Sequence, residues 1–182
     1  MKIVLLNAAT LPVYCPELAV LLLDALNSGA SIGYQRTISQ QEAESAFSRL
    51  RNELETGERL IWIARDEQGV AGSVSLQFPM QPEALNRANI KLLLVHRRAR
   101  RTGIGKKLLA ELEKTACMRQ RGLLWLETPS GSAAEAFYRS QGYRSLGEIP
   151  DYLSSADGYY QPAAIYFKRL FAVNQCVRSI AS

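Results

Sequence analysis

Apolar residues along this chain follow two rhythms: short strand-like runs, and longer stretches in which they recur every three or four positions. Residues 2–7 open with Ile3-Val4-Leu5-Leu6 and predict a first strand. Over residues 17–27, Leu18, Leu22, Ala25 and Leu26 share one helical stripe, and Gly29 stands where a C-cap is needed. Gly29-Ala30-Ser31-Ile32-Gly33-Tyr34 then reads as a glycine-punctuated loop. Ser39 is the N-cap of a second helix, with Glu42 an imperfect capping-box partner. That helix carries Ala43, Ala46, Phe47, Leu50 and Leu54 and runs to Gly57. Strands over 59–65 and 70–78 flank Asp66-Glu67-Gln68-Gly69 as a hairpin. Pro79 and Pro82 bracket a connection to a fourth strand, 89–95, whose Leu92-Leu93-Leu94-Val95 is apolar on both faces, as in a central strand.

Ile104, Leu108, Leu112 and Thr115 mark one stripe of a third helix, with Leu109 and Ala116 beside them. A fifth strand follows over 123–128. Pro129-Ser130-Gly131-Ser132 opens a fourth helix over 133–140, which Gly142 closes. Two last strands are expected over 143–148 and 164–170. The stretch 149–163 between them reads as a long loop, a kind usually functional or disordered. The order β-α-α-β-β-β-α-β-α-β-β predicts an α/β mixture: a mostly antiparallel sheet of about seven strands with about four helices, and not a doubly wound fold.

Composition adds bounds. At 182 residues, with 47% hydrophobic and 21% charged residues, the chain is expected to be one domain over residues 1–170 with a weakly ordered tail at 171–182. No apolar run approaches the roughly 20 residues that span a bilayer, and the N-terminal apolar stretch is short for a signal peptide. A cytoplasmic location is therefore expected. Cys15, Cys117 and Cys176 are odd in number and far apart, which indicates neither a disulfide framework nor a zinc site. Cys117 reads as a small core residue. His96 reads as an ordinary loop residue.

Charge changes the picture most. Arg97-Arg98-Ala99-Arg100-Arg101-Thr102-Gly103-Ile104-Gly105-Lys106-Lys107 holds six basic residues against a net charge of +5, so the rest of the chain is near neutral. Basicity this local argues against an extended nucleic-acid surface and for one compact anion. The run joins a strand to a helix start, where unpaired N–H groups and the dipole favour phosphate. A solvated charged surface is the alternative. A Walker loop fails on spacing, because the glycine preceding Gly105 lies only two residues back. A dinucleotide fingerprint fails because Leu108 occupies its third glycine position.

What remains is Arg/Gln-x-x-Gly-x-Gly/Ala, met by Arg100, Gly103 and Gly105, and it resembles the acetyl-CoA pyrophosphate loop of the GNAT N-acetyltransferases. The segment 134–143, with Tyr138 followed by Gly142-Tyr143, resembles that family's Ala-x-x-x-Tyr-x-x-x-Gly-Phe/Tyr signature. Residues 29–33, 86–88, 122–124, 131–138 and 163–168 are similar to the branch of the family that acetylates the β-lactam amino acid tabtoxin. The resemblance implies the GNAT fold, acetyl-CoA as donor, and a small-molecule amine as acceptor in a ternary complex. It implies no nucleic acid or membrane partner, and a monomer or homodimer. Acetyl-CoA would lie between the fourth and fifth strands, against Leu93, Leu94 and Val95. Arg100, Arg101, Thr102, Gly103, Ile104, Gly105 and Lys106 would hold its pyrophosphate, with Ser132 and Tyr138 beside the donor. No metal is expected.

Residue chemistry supplies roles. An alkyl ammonium, with a pKa of about 10, must lose a proton before it attacks a thioester, and Glu127 at the end of the fifth strand is the candidate base. Water is the alternative, because Asn89 stands in the region where many family members carry a carboxylate. A backbone N–H near Val95 would serve the oxyanion. Tyr138 would protonate the leaving thiolate; core packing is its plain alternative. Ser31, Tyr34, Asn89, Glu127 and Tyr152 are expected to contact the acceptor, with Tyr159 and Tyr160 lining or covering the cleft. Acceptors in view are small amines and peptide or protein N-termini. A non-catalytic acyl-CoA sensor is the reading outside the enzyme class.

Overall fold

The computed structural model describes residues 1–172. The elements are β1 (Lys2–Leu6), α1 (Leu11–Asn27), α2 (Gln40–Ser48), α3 (Arg51–Thr56), β2 (Arg59–Asp66), β3 (Gly69–Gln77), β4 (Arg87–Val95), α4 (Ile104–Met118), β5 (Leu123–Pro129), α5 (Ala133–Ser140), β6 (Arg144–Ser154) and β7 (Tyr160–Arg169). The seven strands form one sheet in the order β1-β2-β3-β4-β5-β7-β6. Every pairing is antiparallel except β4 with β5. A parallel pair needs a crossover, and α4 supplies it. The expected fold class is the observed one.

Helices cover both faces. Beneath α4 and α5 lies a core of Leu60, Trp62, Val74, Leu76, Ile90, Leu108, Leu112, Leu124, Leu126 and Tyr166. Beneath α1 and α2 lies a second core of Leu11, Leu18, Leu22, Leu26, Phe47, Ile61 and Ile63. Alternation along β2 sends Leu60 and Trp62 to the first and Ile61 and Ile63 to the second, as a period of two requires.

Several local expectations are corrected. Helix α1 begins at Leu11, not near residue 17, with Pro12 in its first turn and Pro16 inside. The side chain of Asn7 accepts from Ala9 N (3.0 Å) and Thr10 N (2.8 Å), so the turn out of β1 delivers the chain directly into the helix. The second expected helix is divided into α2 and α3 around Arg49-Leu50. Its start is a full capping box: Glu42 N donates to Ser39 Oγ (3.2 Å) and Ser39 N donates to Glu42 Oε2 (2.8 Å). The long loop expected at 149–163 is mostly strand, because β6 and β7 extend into an arm in which Leu153 pairs Gln161 and Ser154 pairs Tyr160. Cys117 is exposed on α4, whereas Cys15 is buried. The expected tail and Cys176 lie almost wholly outside the described residues.

Candidate active site between two diverging strands

Strands β4 and β5 pair only at Arg87–Leu123, Ala88–Leu124 and Asn89–Trp125. Beyond Asn89 they separate, while β4 stays bonded to β3 as far as Val95. The edge of β4 that faces β5 is therefore open over residues 90–95. A bulge sits at its centre: the β3–β4 register shifts between Ser73 and Ser75, and Leu92 has φ of 49°. One extra residue reverses which face each side chain takes. Ahead of it Ala88 and Ile90 enter the α4 core; after it Leu93 and Val95 join that core, and Leu94 enters the other.

The bulge is held from behind. Ser75 Oγ donates to the Lys91 carbonyl at 3.1 Å, and Arg59, itself buried, donates to Ser75 Oγ at 3.2 Å and to Glu53 at 2.8 Å. These groups lie on the face opposite the α4 core, where Ser73, Ser75, Asn89 and Arg59 are buried polar residues.

On the same face the structure brings Asn89, Lys91, Trp125 and Glu127 together. Lys91 Nζ donates to Glu127 Oε1 at 2.5 Å, across the gap between the strands, and lies 5.8 Å from the centre of the Trp125 ring. Glu127 Oε2 and Asn89 Oδ1 are buried without a hydrogen-bond partner among the described residues. Unpartnered buried polar atoms are uncommon, and two acceptors beside the strand gap suit a ligand that brings N–H donors. Lys91 is a functional candidate that the sequence reading passed over. Its signal was available: it is the one charge inside the run Ile90 to Val95.

At the far end of β4 the chain turns through Arg97–Ala99 into the start of α4. Arg101 and Gly103 both have left-handed backbone, φ 64° and 84°. Thr102 Oγ1 donates to Ala99 O at 2.7 Å. Among the described residues no side chain caps the N-terminus of α4, so its first N–H groups are open to a ligand. Gly105 lies against α5: an added Cβ would stand 3.3 Å from Phe137 Cζ and 3.7 Å from Val95 Cγ2.

The basic run divides. Arg97 pairs with buried Asp24 through both its backbone N–H (2.8 Å) and its guanidinium. Burial alone would raise the Asp24 carboxyl, but the bonds from Arg97 and the nearby His96 hold it below its ordinary value. Arg98 makes a two-pronged contact with Asp66 at 2.7 and 3.1 Å. Arg101, Lys106 and Lys107 are exposed and make no ion pair among the described residues, and exposed Arg100 donates to Val95 O at 3.2 Å. A polyphosphate would therefore meet four cations, not six.

Tyr138 is buried on α5, in edge contact with Phe137 (5.4 Å) and Tyr143 (5.5 Å). Burial raises its phenol above the ordinary value. Ser132 is the N-cap of α5, accepting from Glu135 N at 3.4 Å. The outer expectations are placed less centrally. Tyr34 is half-buried against the α1–α2 core, and Ser31 is half-buried on the same loop. Tyr152, Tyr159 and Tyr160 are exposed on the β6–β7 arm, at 48%, 76% and 73%.

The open strand edge, the uncapped glycine-led helix and the Tyr138 helix lie in one stretch of chain, and the family model of the acetyltransferase (GNAT) domain matches residues 57–145. This stretch is a GNAT acetyltransferase domain. Acetyl-CoA is the cofactor of that family, and the domain is that of an acyltransferase. Solved structures share its fold well beyond the matched stretch. A ribosomal-protein-alanine N-acetyltransferase from Brucella melitensis aligns over 93% of this chain and 100% of its own, with a TM-score of 0.76 and 24% identity. A GNAT superfamily phosphinothricin acetyltransferase from Sinorhizobium meliloti, solved with acetyl-CoA, aligns over 93% and 89%, with a TM-score of 0.72 and 20% identity. An aminoglycoside 6'-acetyltransferase type Ii aligns over 95% and 99%, with a TM-score of 0.68 and 20% identity. The residues present fit the cofactor: the GNAT domain offers an open β4 edge, a glycine-led helix start and four cations in sequence.

Proposed function

We propose that this GNAT domain transfers acetyl from acetyl-CoA to the primary amine of a small polar molecule, an amino-acid-like compound such as a β-lactam toxin or antibiotic being the leading class. The observation that carries this reading is the strand gap with its polar floor, where Asn89 Oδ1 and Glu127 Oε2 are buried and have no partner among the described residues. Acetyl-CoA supplies an activated thioester carbonyl. Leu93, Leu94 and Val95 border its arm, while Arg100 to Lys106 and the helix start hold its phosphates. The acceptor ammonium donates to Asn89 Oδ1 and Glu127 Oε2, and Glu127 takes the proton that frees its lone pair. A backbone N–H near Val95 faces the oxygen on which charge develops. Tyr138, a phenol protonated at neutral pH, donates to the departing sulfur. Ser31, Tyr34 and Tyr152 flank the acceptor, Ser132 sets the start of α5 beside the donor, and the functional unit spans residues 1–170.

A peptide or protein N-terminus is the second acceptor class, favoured by the likeness to the Brucella enzyme. The test is thiol release from acetyl-CoA against amino acids, β-lactam amino acids, polyamines, aminoglycosides and short peptides. Turnover with small amino-acid-like amines alone supports the leading reading, and turnover with peptides alone replaces it. Tight acetyl-CoA binding without turnover on any amine would make the domain a sensor and overturn both.

A further inference from the structure

The chain has six lysines, and Lys91 differs from the other five in its setting. It projects from β4 one residue before the bulge, where β4 leaves β5, and its backbone carbonyl is fixed by Ser75. Its side chain is 31% exposed, and its Nζ touches Glu127, the group assigned as base. An alkyl amine in contact with the base, on the acceptor face of the strand gap, meets the conditions set for an external acceptor.

We propose that Lys91 is a self-acetylation site, modified by the domain's own donor when no external amine occupies the cleft. The inference rests on the acetyltransferase reading above. Lys91 Nζ passes one proton to Glu127, which releases it to solvent. The freed lone pair forms the N–C bond to the thioester carbonyl, and the C–S bond breaks. The sulfur leaves with the bonding pair and takes a proton from Tyr138, which regains the second proton lost by the nitrogen. The balance is acetyl-CoA plus lysine ammonium giving acetyl-lysine, CoA thiol and one proton. The amide carries no charge, so Glu127 loses its cation and the strand gap loses its ionic bridge.

The experiment incubates the full chain with acetyl-CoA and no amine, and follows acetylation by intact mass and peptide mapping. A parallel arm measures thiol release with the amine panel. One acetyl group on Lys91 is expected, absent in Lys91→Arg, which keeps the cation but resists acylation. Glu127→Gln should slow the mark by about 100-fold, the scale of a general base, while background acetylation of exposed Lys106 and Lys107 stays unchanged. In the unmodified sequence, a good acceptor amine should suppress the mark in proportion to its occupancy. If external amines turn over while Lys91 stays unmodified, self-acetylation is wrong and the acetyltransferase reading stands. Equal labelling in Glu127→Gln, or none of the expected suppression, marks it as uncatalysed chemistry and also overturns the proposal. If neither Lys91 nor any amine is acetylated, both fall.

Discussion

Burial does two things to Tyr138: it fixes the ring among Phe137 and Tyr143, and it raises the phenol above its ordinary value. In the proposed mechanism this phenol gives its proton to the departing sulfur. Tyr138→Phe should therefore lower kcat by about 100-fold and leave the KM for acetyl-CoA nearly unchanged, and steady-state kinetics decide this. Tyr143 is raised in the same direction, by burial first and then by Glu113, to which its hydroxyl donates at 3.0 Å. Both folded values lie above the unfolded value of about 10. Below that value the two phenols give stability no pH slope; above it the unfolded chain binds fewer protons, so stability falls as pH rises. Urea unfolding should show a plateau that declines past about pH 10, with a shallower decline in Tyr143→Phe. Glu127 and Tyr138 could be nominated from residue type and motif. Lys91 could have been, because a lone charge in an apolar central strand is a signal. The bulge at Leu92 could not, since leucine is uncommon at positive φ and nothing in its neighbours announces one.

At the scale of elements, the start of α4 depends on two glycines for different reasons. Gly103 has φ of 84° and open space around it, so its requirement is conformational. Gly105 faces Phe137 of α5, so its requirement is room. Gly103→Ala should lose roughly 1–2 kcal/mol from left-handed backbone strain, and Gly103→Asn distinctly less. Gly105→Ala should act on the α4–α5 contact, raising the KM for acetyl-CoA more than it lowers stability, with partial rescue by Phe137→Leu. Denaturant curves and donor titrations on the four variants test the division; equal behaviour of Gly103→Ala and Gly103→Asn would refute the conformational half. Strong periodicity made most elements legible, and the errors have local causes. Two prolines concealed the first turns of α1, although proline is at home at a helix start. The β6–β7 arm is not legible in the sequence because Tyr, Ser and Gly over 149–163 lack alternation: β6 is exposed through most of its length. Pairing along β7 holds that arm in place, and one strand's own pattern does not record its partner.

Across the whole molecule, the basic run divides into two sets that its sequence does not separate. Arg97 and Arg98 tie the turn to α1 and to the end of β2 through Asp24 and Asp66. Arg100, Arg101, Lys106 and Lys107 stay exposed around the helix start, beside the mouth of the strand gap. β4 and β5 are parallel and joined by α4, so the chain leaving β4 at its divergent end brings the helix N-terminus there. Donor affinity should then depend on four charges and loop stability on two others. Raising salt screens exposed charges, so the KM for acetyl-CoA should climb with ionic strength. Lys106→Ala and Arg101→Ala should each raise it at low salt and flatten that climb. Arg98→Ala should leave the salt dependence intact and lower stability slightly, as loss of an exposed ion pair does. Initial rates between low and high salt, with melting curves on the same samples, separate the two sets. A salt response lost in Arg98→Ala and kept in Lys106→Ala would reverse the assignment, making the tethering arginines the ones that meet the donor.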